Sequence, residues 1–169
     1  MAQYKEVIGD ASIFPEDEPT IIMHICNDIG AWGAGFTGAL TKNHPWSEKE
    51  YRDRFKHELC GIDVNLGDVQ FTNEWDGKFD SDYLVANMIA QKGIDYTNKA
   101  DLIDYNALQR CLNLVFIRAR EGEYQIQCPK IGSGLAGGDW KKIKRMIKFN
   151  IQVYEVDCVV YEFPQKERQ

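Results

Sequence analysis

The sequence predicts an α/β protein in which helices cover both faces of a largely parallel or mixed sheet. Short apolar runs, typical of buried strands, alternate along the chain with amphipathic segments that have helical spacing. Two of the apolar runs lead into glycine-rich segments, at residues 27–40 and 129–140. Loops that follow parallel strands gather at one edge of a sheet, so we expect both segments to face one ligand.

Composition indicates one folded domain over residues 1–169, since 169 residues with 44% hydrophobic and 27% charged content can bury a proper core. No run approaches the roughly 18 apolar residues of a membrane helix. The start, M-A-Q-Y-K-E, has no signal-peptide core, so we expect a cytoplasmic protein without membrane contact. We also expect a monomer. A net charge of −6 argues against general nucleic-acid binding, which depends on neutralising phosphates.

The five cysteines are scattered, odd in number and without a C-x-x-C pair. This pattern argues against both a disulfide framework and a zinc site, and most of them are expected to be small core residues. No metal site and no cofactor is predicted.

Six strands are predicted from alternating or nearly continuous apolar patterns, at residues 4–8, 20–26, 67–75, 83–90, 124–128 and 151–161. Asp76-Gly77 adds a turn signal after the third. The second run, T-I-I-M-H-I-C, has the character of a central strand buried on both faces. His24 is its one ionisable residue, and it is either a hydrogen-bonded core residue or a catalyst.

Four helices are predicted, at residues 35–42, 47–59, after the charged run 95–104, and at 140–149. Ser47 and Glu50 have the spacing of a capping box for the second helix. The third has Leu108, Leu112 and Val115 on one apolar face. Asp139 stands where the N-cap of the last helix belongs.

The segment P-K-I-G-S-G-L-A-G-G-D-W holds four glycines in seven residues, at 132, 134, 137 and 138. A glycine loop that runs into a helix N-terminus can hold an anion, because free N–H groups and the positive end of the helix dipole face the loop. The alternative is a strand-to-helix turn that only needs flexible torsions. Asp10, directly after the first strand, likewise either turns the chain or contacts a ligand.

Three segments together resemble the macrodomain family of ADP-ribose-binding α/β modules: V-I-G-D at 7–10, I-M-H-I-C-N-D-I-G-A-W-G-A-G-F at 22–36, and P-K-I-G-S-G-L-A-G-G-D-W at 129–140. Their order and spacing agree with the family over nearly the whole chain. The pattern H-x-C-N-x-x-G-x-W-G-x-G is similar to the ADP-ribose-1″-phosphate phosphatase branch and to the terminal ADP-ribose protein glycohydrolase branch. The resemblance implies a three-layer α/β/α macrodomain with a mixed central sheet.

The resemblance also implies binding roles. Asp10 would accept a hydrogen bond from the adenine amino group, residues 27–36 would wrap the distal ribose and its phosphate, and residues 132–138 would hold the diphosphate. The ligand-binding residues expected on this basis are Asp10, Ala11, Asn27, Trp32, Gly33, Ala34, Gly35, Phe36, Gly132, Ser133, Gly134, Leu135, Ala136, Gly137 and Gly138.

For catalysis we expect His24, Asn27 and Asp28, which flank the distal-ribose loop. The glycohydrolase branch uses a lysine after the fourth strand and an aspartate in the second loop. Lys92 falls at the lysine position, but Ala136 replaces the aspartate, and this departure argues against a lysine-adduct mechanism.

The expected activity is metal-free hydrolysis of ADP-ribose-1″-phosphate to ADP-ribose and phosphate. Two alternatives stay open: a reader that binds ADP-ribose without turnover, and a hydrolase that removes ADP-ribose from modified protein or nucleic acid.

Overall fold

The computed structural model describes residues 1–56, 63–74, 81–98 and 100–165. Its strands form one six-stranded sheet with the order β1-β6-β5-β2-β4-β3. All neighbouring strands are parallel except β3 and β4, which are antiparallel, so the predicted mixed α/β sheet is confirmed. The strands are β1 (Tyr4–Ile8), β2 (Thr20–Asn27), β3 (Val69–Thr72), β4 (Tyr83–Gln91), β5 (Gln125–Pro129) and β6 (Cys158–Glu162).

The helices α1 (Phe36–Asn43), α2 (Pro45–Lys56), α3 (Tyr105–Gly122) and α4 (Trp140–Tyr154) cover the two faces of the sheet. Alternation along β2 decides which face each side chain meets. Ile21 and Met23 pack into the larger core with α3 and α4, whereas Ile22 packs with Leu40 of α1. His24, two residues from Ile22, therefore points toward the α1 and α2 side. None of the helices in the described ranges is long and apolar enough to cross a membrane.

Helix α2 begins at Pro45, so the predicted capping box at Ser47 is wrong. Ser47 is a fully buried residue inside the first turn, and its hydroxyl contacts Asn87 of β4. The reason is a tertiary contact, because the hydrogen bond between Ser47 and Asn87 of the sheet outweighs the local capping pattern. The predicted continuation of this helix over residues 57–59 lies outside the described residues, as do Trp75 and the Asp76-Gly77 turn.

Helix α4 continues to Tyr154, so the strand predicted over residues 151–161 is wrong in its first part. Ile143, Ile147 and Ile151 are buried at helical spacing, and this packing outweighs the β-branched character of the segment. The chain leaves the helix at Glu155, which has a φ of 55°, and only then enters β6. At the other end, Asp139 accepts a hydrogen bond from the Lys142 amide, which confirms the predicted N-cap.

Candidate functional site

Two adjoining cavities lie at the carboxyl ends of β2, β4 and β5. The first, of about 180 Å³, lies between loop 1 (residues 28–35, from β2 to α1) and loop 2 (residues 130–139, from β5 to α4). The second, of about 280 Å³, lies between loop 1 and the segment after β4. Five residues line both cavities and make them one cleft: Ile25, Ala34, Thr37, Gln91 and Tyr96. The two glycine loops therefore do face a common space.

Loop 2 is held by its own backbone. The Gly138 amide donates to the Gly132 carbonyl at 2.8 Å, and the Gly137 amide donates to the Gly134 carbonyl at 3.0 Å. A Cβ atom at Gly138 would come within 2.5 Å of the Gly132 oxygen, so only glycine allows this closure. In the described structure the amides of Gly134, Leu135 and Ala136 have no backbone acceptor, while all three residues line the first cavity. These amides suit an anion.

Loop 1 enters helix α1 through Gly35, which has a φ of 66° and no side chain to cap the helix. The uncapped first turn leaves amides and the positive end of the helix dipole at the first cavity, which Ala34, Gly35, Phe36 and Thr37 line. Helix α1 thus presents a second set of backbone donors opposite loop 2.

Asn27 lines the second cavity, but its amide holds loop 1 together. Its Oδ1 accepts from the amides of Ile29 and Ala31, and its Nδ2 donates to the Ala31 carbonyl at 2.7 Å. The buried Tyr51 hydroxyl donates to the Asn27 carbonyl at 2.7 Å and lies 3.0 Å from Oδ1. With both ends of the amide engaged, Asn27 shapes the loop and is poorly placed to act on a substrate.

The expectation that Asp28 is catalytic is not supported by its position. Asp28 lines neither cavity, and its Oδ1 accepts a 2.8 Å hydrogen bond from the Gly93 amide. The carboxylate therefore joins loop 1 to the segment after β4.

His24 is 2% exposed and lines the first cavity. Its Nε2 lies 2.5 Å from Asn87 Oδ1, and its ring meets Trp32 and Phe36 edge-on, with centroids 5.4 and 5.9 Å away. Burial lowers the pKa of His24 to about 4, although the hydrogen bond to Asn87 opposes this shift. The imidazole is neutral at physiological pH, so it can accept a hydrogen bond but is a poor proton donor.

The cavity-facing residue at the end of β4 is Gln91, and not Lys92, which falls at the lysine position of the glycohydrolase branch. Gln91 lines both cavities, whereas Lys92 lines neither and its Nζ lies 3.5 Å from Asp104, the N-cap of α3. Lys92 lies one residue beyond the end of β4, and its side chain is 64% exposed beside Asp104. Ala136, at the expected aspartate position, does line the first cavity.

Five other expected ligand-binding residues line neither cavity: Asp10, Ala11, Ser133, Gly137 and Gly138. Ser133 and the two glycines stabilise loop 2 from within, the serine hydroxyl by donating to the Lys130 carbonyl. Asp10 lies at the end of β1, where its Oδ1 accepts from the amide and hydroxyl of Ser12 at 2.9 and 2.6 Å. Asp10 thus turns the chain, and its contact with adenine stays a prediction.

Sequence reasoning missed several lining residues, among them Thr37, Gln91, Tyr96 and Lys130. Lys130 alone among the described lining residues carries a charged side chain, and its Nζ is 3.4 Å from Glu162. Gln91 is the last residue of β4, and its position at the carboxyl end of that strand could have marked it as a cleft residue. No sequence pattern marks Tyr96, which reaches the cleft from an irregular segment.

No protein-family model matches the chain. A macrodomain protein from Streptomyces coelicolor superposes with a TM-score of 0.78 at 32% identity, over 95% of this chain and 99% of that one. The chain belongs to the macrodomain family. This macrodomain is also 27% identical over 174 residues to an ADP-ribose 1″-phosphate phosphatase of Candida albicans, covering 90% of this chain and 99% of that protein.

A third relative is the mouse chromodomain-helicase-DNA-binding protein 1-like, with 28% identity over 155 residues and 89% of this macrodomain matched. The match spans 17% of the length of the mouse protein, so the likeness is to one part of a larger chain.

Proposed function

We propose that this macrodomain binds ADP-ribose derivatives in the cleft and hydrolyses ADP-ribose-1″-phosphate to ADP-ribose and phosphate. The observation that carries the proposal is the pair of backbone donor groups that face the first cavity, from loop 2 and from the first turn of α1. Two opposed sets of amides suit a diphosphate, whose charges are spread over several oxygens. The similarity to fungal ADP-ribose 1″-phosphate phosphatases supports the substrate.

The reaction consumes one water molecule. The water oxygen bonds to phosphorus, the bond between phosphorus and O1″ breaks, and O1″ leaves with a proton as the anomeric hydroxyl of ADP-ribose. We assign to His24 the role of accepting a hydrogen bond from the attacking water or from a distal-ribose hydroxyl. A histidine whose pKa is lowered to about 4 is not available as a proton donor to the leaving oxygen at neutral pH.

The direct test is phosphate release from ADP-ribose-1″-phosphate, with ADP-ribose binding followed by calorimetry. His24→Ala should reduce turnover by about tenfold or more while ADP-ribose affinity changes little. Unchanged turnover in this variant would remove His24 from the catalytic residues. Phosphate release should persist in EDTA, and loss of activity on chelation contradicts the metal-free form of the proposal.

A second candidate is a reader that binds ADP-ribose without turnover. It is favoured by one observation: no carboxylate belongs to the described residues that line the two cavities, and the neutral His24 is a weak base. Tight ADP-ribose binding with no phosphate release would support the reader.

Removal of ADP-ribose from protein or nucleic acid through a lysine adduct is disfavoured, because Lys92 points away from the cleft and Ala136 lacks a carboxylate. Incubation with carboxylate-linked, serine-linked and nucleobase-linked ADP-ribose tests this third activity directly. If Ala136→Asp releases ADP-ribose from any of these substrates, one added carboxylate is sufficient to give the macrodomain that activity.

A further inference from the structure

Behind His24 lies a cluster of buried polar side chains that the proposed reaction does not itself require. Asn87, Ser47 and Thr72 are 0%, 0% and 1% exposed, and each comes from a different element. Buried polar groups are costly unless they are hydrogen-bonded, so a cluster of this kind must have a consistent set of donors and acceptors.

The directions of the hydrogen bonds from Gln70 through Asn87 to His24 follow from one backbone carbonyl. The Glu50 carbonyl of α2 can only accept, and it lies 2.9 Å from Gln70 Nε2. Gln70 must therefore present Oε1 to Asn87, whose Nδ2 donates to it at 3.3 Å. The Ser47 carbonyl, 3.5 Å from the same Nδ2, fixes the Asn87 amide in the same orientation.

Because Nδ2 of Asn87 acts as a donor on one side, the amide presents its oxygen, Oδ1, to His24. An amide oxygen can only accept, so His24 Nε2, 2.5 Å away, must carry the ring proton. The Ser47 hydroxyl donates to the same Oδ1 at 3.2 Å, while Thr72 donates to the Val85 carbonyl at 3.1 Å. Cys26 Sγ lies 3.9 Å from Nδ1 and 3.7 Å from Nε2, so it does not select between the two nitrogens.

We propose that Asn87, oriented by Gln70 and the Glu50 carbonyl, is a positioning residue that fixes His24 in the tautomer with the proton on Nε2 and leaves Nδ1 as the acceptor for the ligand in the first cavity. The relay formed by Glu50, Gln70, Asn87 and His24 connects helix α2 to the cleft through β3 and β4. The acceptor role toward water or a ribose hydroxyl rests on the proposed function, whereas the tautomer follows from the relay alone.

Histidine ring ¹⁵N NMR of the wild-type protein at neutral pH tests the relay without any activity assay. We expect a protonated-type Nε2 and an unprotonated-type Nδ1 for His24, and a shift of the Nδ1 resonance when ADP-ribose is added. A protonated Nδ1 in the free protein, or an Nδ1 resonance that ADP-ribose leaves in place, overturns the proposal.

Asn87→Leu keeps a similar side-chain size and removes the acceptor. The His24 signals should then show a mixture of tautomers, and kcat for phosphate release should fall by about tenfold with KM changed less than about twofold. Thr72→Val is the matched control, because Thr72 touches Ser47 in the same cluster but takes no part in the relay. It should keep the wild-type tautomer and kcat.

The outcomes separate this proposal from the proposed function. If the wild-type tautomer and its response to ADP-ribose are as expected but no phosphate is released, the relay is supported and the phosphatase assignment fails. If phosphate is released but His24 carries its proton on Nδ1, the phosphatase stands and the relay fails. Asn87→Leu with wild-type kcat and a wild-type tautomer also contradicts the relay, and melting curves show whether each variant is folded.

Discussion

Loop 1 and loop 2 face the same cleft but are held in place by different means. Loop 2 closes through its own amides and carbonyls, with Gly138 packed on the Gly132 carbonyl. Loop 1 is fixed by side chains that reach it from elsewhere: Asn27 from the end of β2 and Tyr51 from α2. A loop built on backbone contacts leaves few side chains at the ligand, whereas a loop held by side chains brings functional groups close to it.

The different support of the two loops assigns ligand binding to loop 2 and catalysis to the residues behind loop 1. Loop 2 presents backbone amides to the first cavity, and Lys130 is its one charged side chain among the described lining residues, which suits tight binding of a diphosphate. Loop 1 lies against His24, whose ring meets Trp32 of that loop and Phe36, the first residue of α1. Changes in loop 2 should therefore alter affinity and folding, and changes behind loop 1 should alter turnover.

The largest effect is expected from Gly138→Ala in loop 2. Its Cβ would lie within 2.5 Å of the Gly132 oxygen, a backbone atom that cannot move without opening the loop. We expect a loss of about 3 kcal/mol in unfolding free energy, the upper end for overpacking, and ADP-ribose affinity reduced by about tenfold or more. Urea denaturation measures the unfolding free energy, and calorimetry measures the ADP-ribose affinity.

Gly134→Ala is the control for that substitution, because a Cβ there meets no protein atom within 4 Å but enters the first cavity. It should leave stability within about 0.5 kcal/mol of wild type and still weaken ADP-ribose binding. Equal stability losses in the two variants would show that loop 2 does not depend on the contact between Gly138 and Gly132.

The next effect concerns pH and the buried His24. Its pKa is about 4 in the folded protein against an ordinary value of 6.5, so the unfolded chain binds more protons between these two pH values. Stability should rise with pH through that window and be lost as pH falls toward 4, by about 3 kcal/mol in total. Urea denaturation from pH 4 to 7 should show a shallower slope for His24→Gln.

His44 contributes in the same direction, because burial also lowers its pKa. His44→Gln is therefore the matched variant for His24→Gln. The two histidines should account for separate parts of the slope of the unfolding free energy against pH. A His24→Gln protein with the wild-type pH dependence would contradict the neutral, buried state of His24.

A smaller effect is expected from Tyr51→Phe, which breaks the side-chain support of loop 1. Tyr51 is 1% exposed, and its hydroxyl donates to the Asn27 carbonyl at 2.7 Å. Loss of this bond leaves a buried acceptor with one partner fewer and should cost about 1–2 kcal/mol. Tyr83→Phe removes a hydrogen bond to the Glu16 carbonyl at the surface and should cost less. A larger loss in Tyr83→Phe contradicts the role of Tyr51.

The smallest effect is expected from Lys92→Ala. The ion pair with Asp104 spans 3.5 Å, and the lysine side chain is 64% exposed, so its contribution to stability is below about 1 kcal/mol. Turnover and ADP-ribose affinity should stay at wild-type levels. Gln91→Ala, one residue earlier and inside the cleft, should weaken ADP-ribose binding. Loss of turnover in Lys92→Ala would place Lys92 among the catalytic residues.

The strands, the two glycine loops and the N-cap at Asp139 could be predicted, because their signals are local: apolar runs, glycine clusters and a capping side chain at one spacing. The errors fall where a distant contact outweighs the local pattern. Ser47 is drawn into the sheet by Asn87, and Ile151 stays helical because it packs in the core.

The sequence by itself determined the fold class and the presence of two anion-suited loops, since glycine content and strand periodicity act over a few residues. Only the tertiary structure decided which polar residues reach the cleft: it placed His24 and Gln91 there and turned Asp28 and Lys92 to structural partners. The position of the ring proton on His24 Nε2 depends most strongly on the tertiary structure. It is set by a carbonyl in α2 through residues of β3 and β4, and such a chain of hydrogen bonds exists only once these three elements and β2, which carries His24, have packed together.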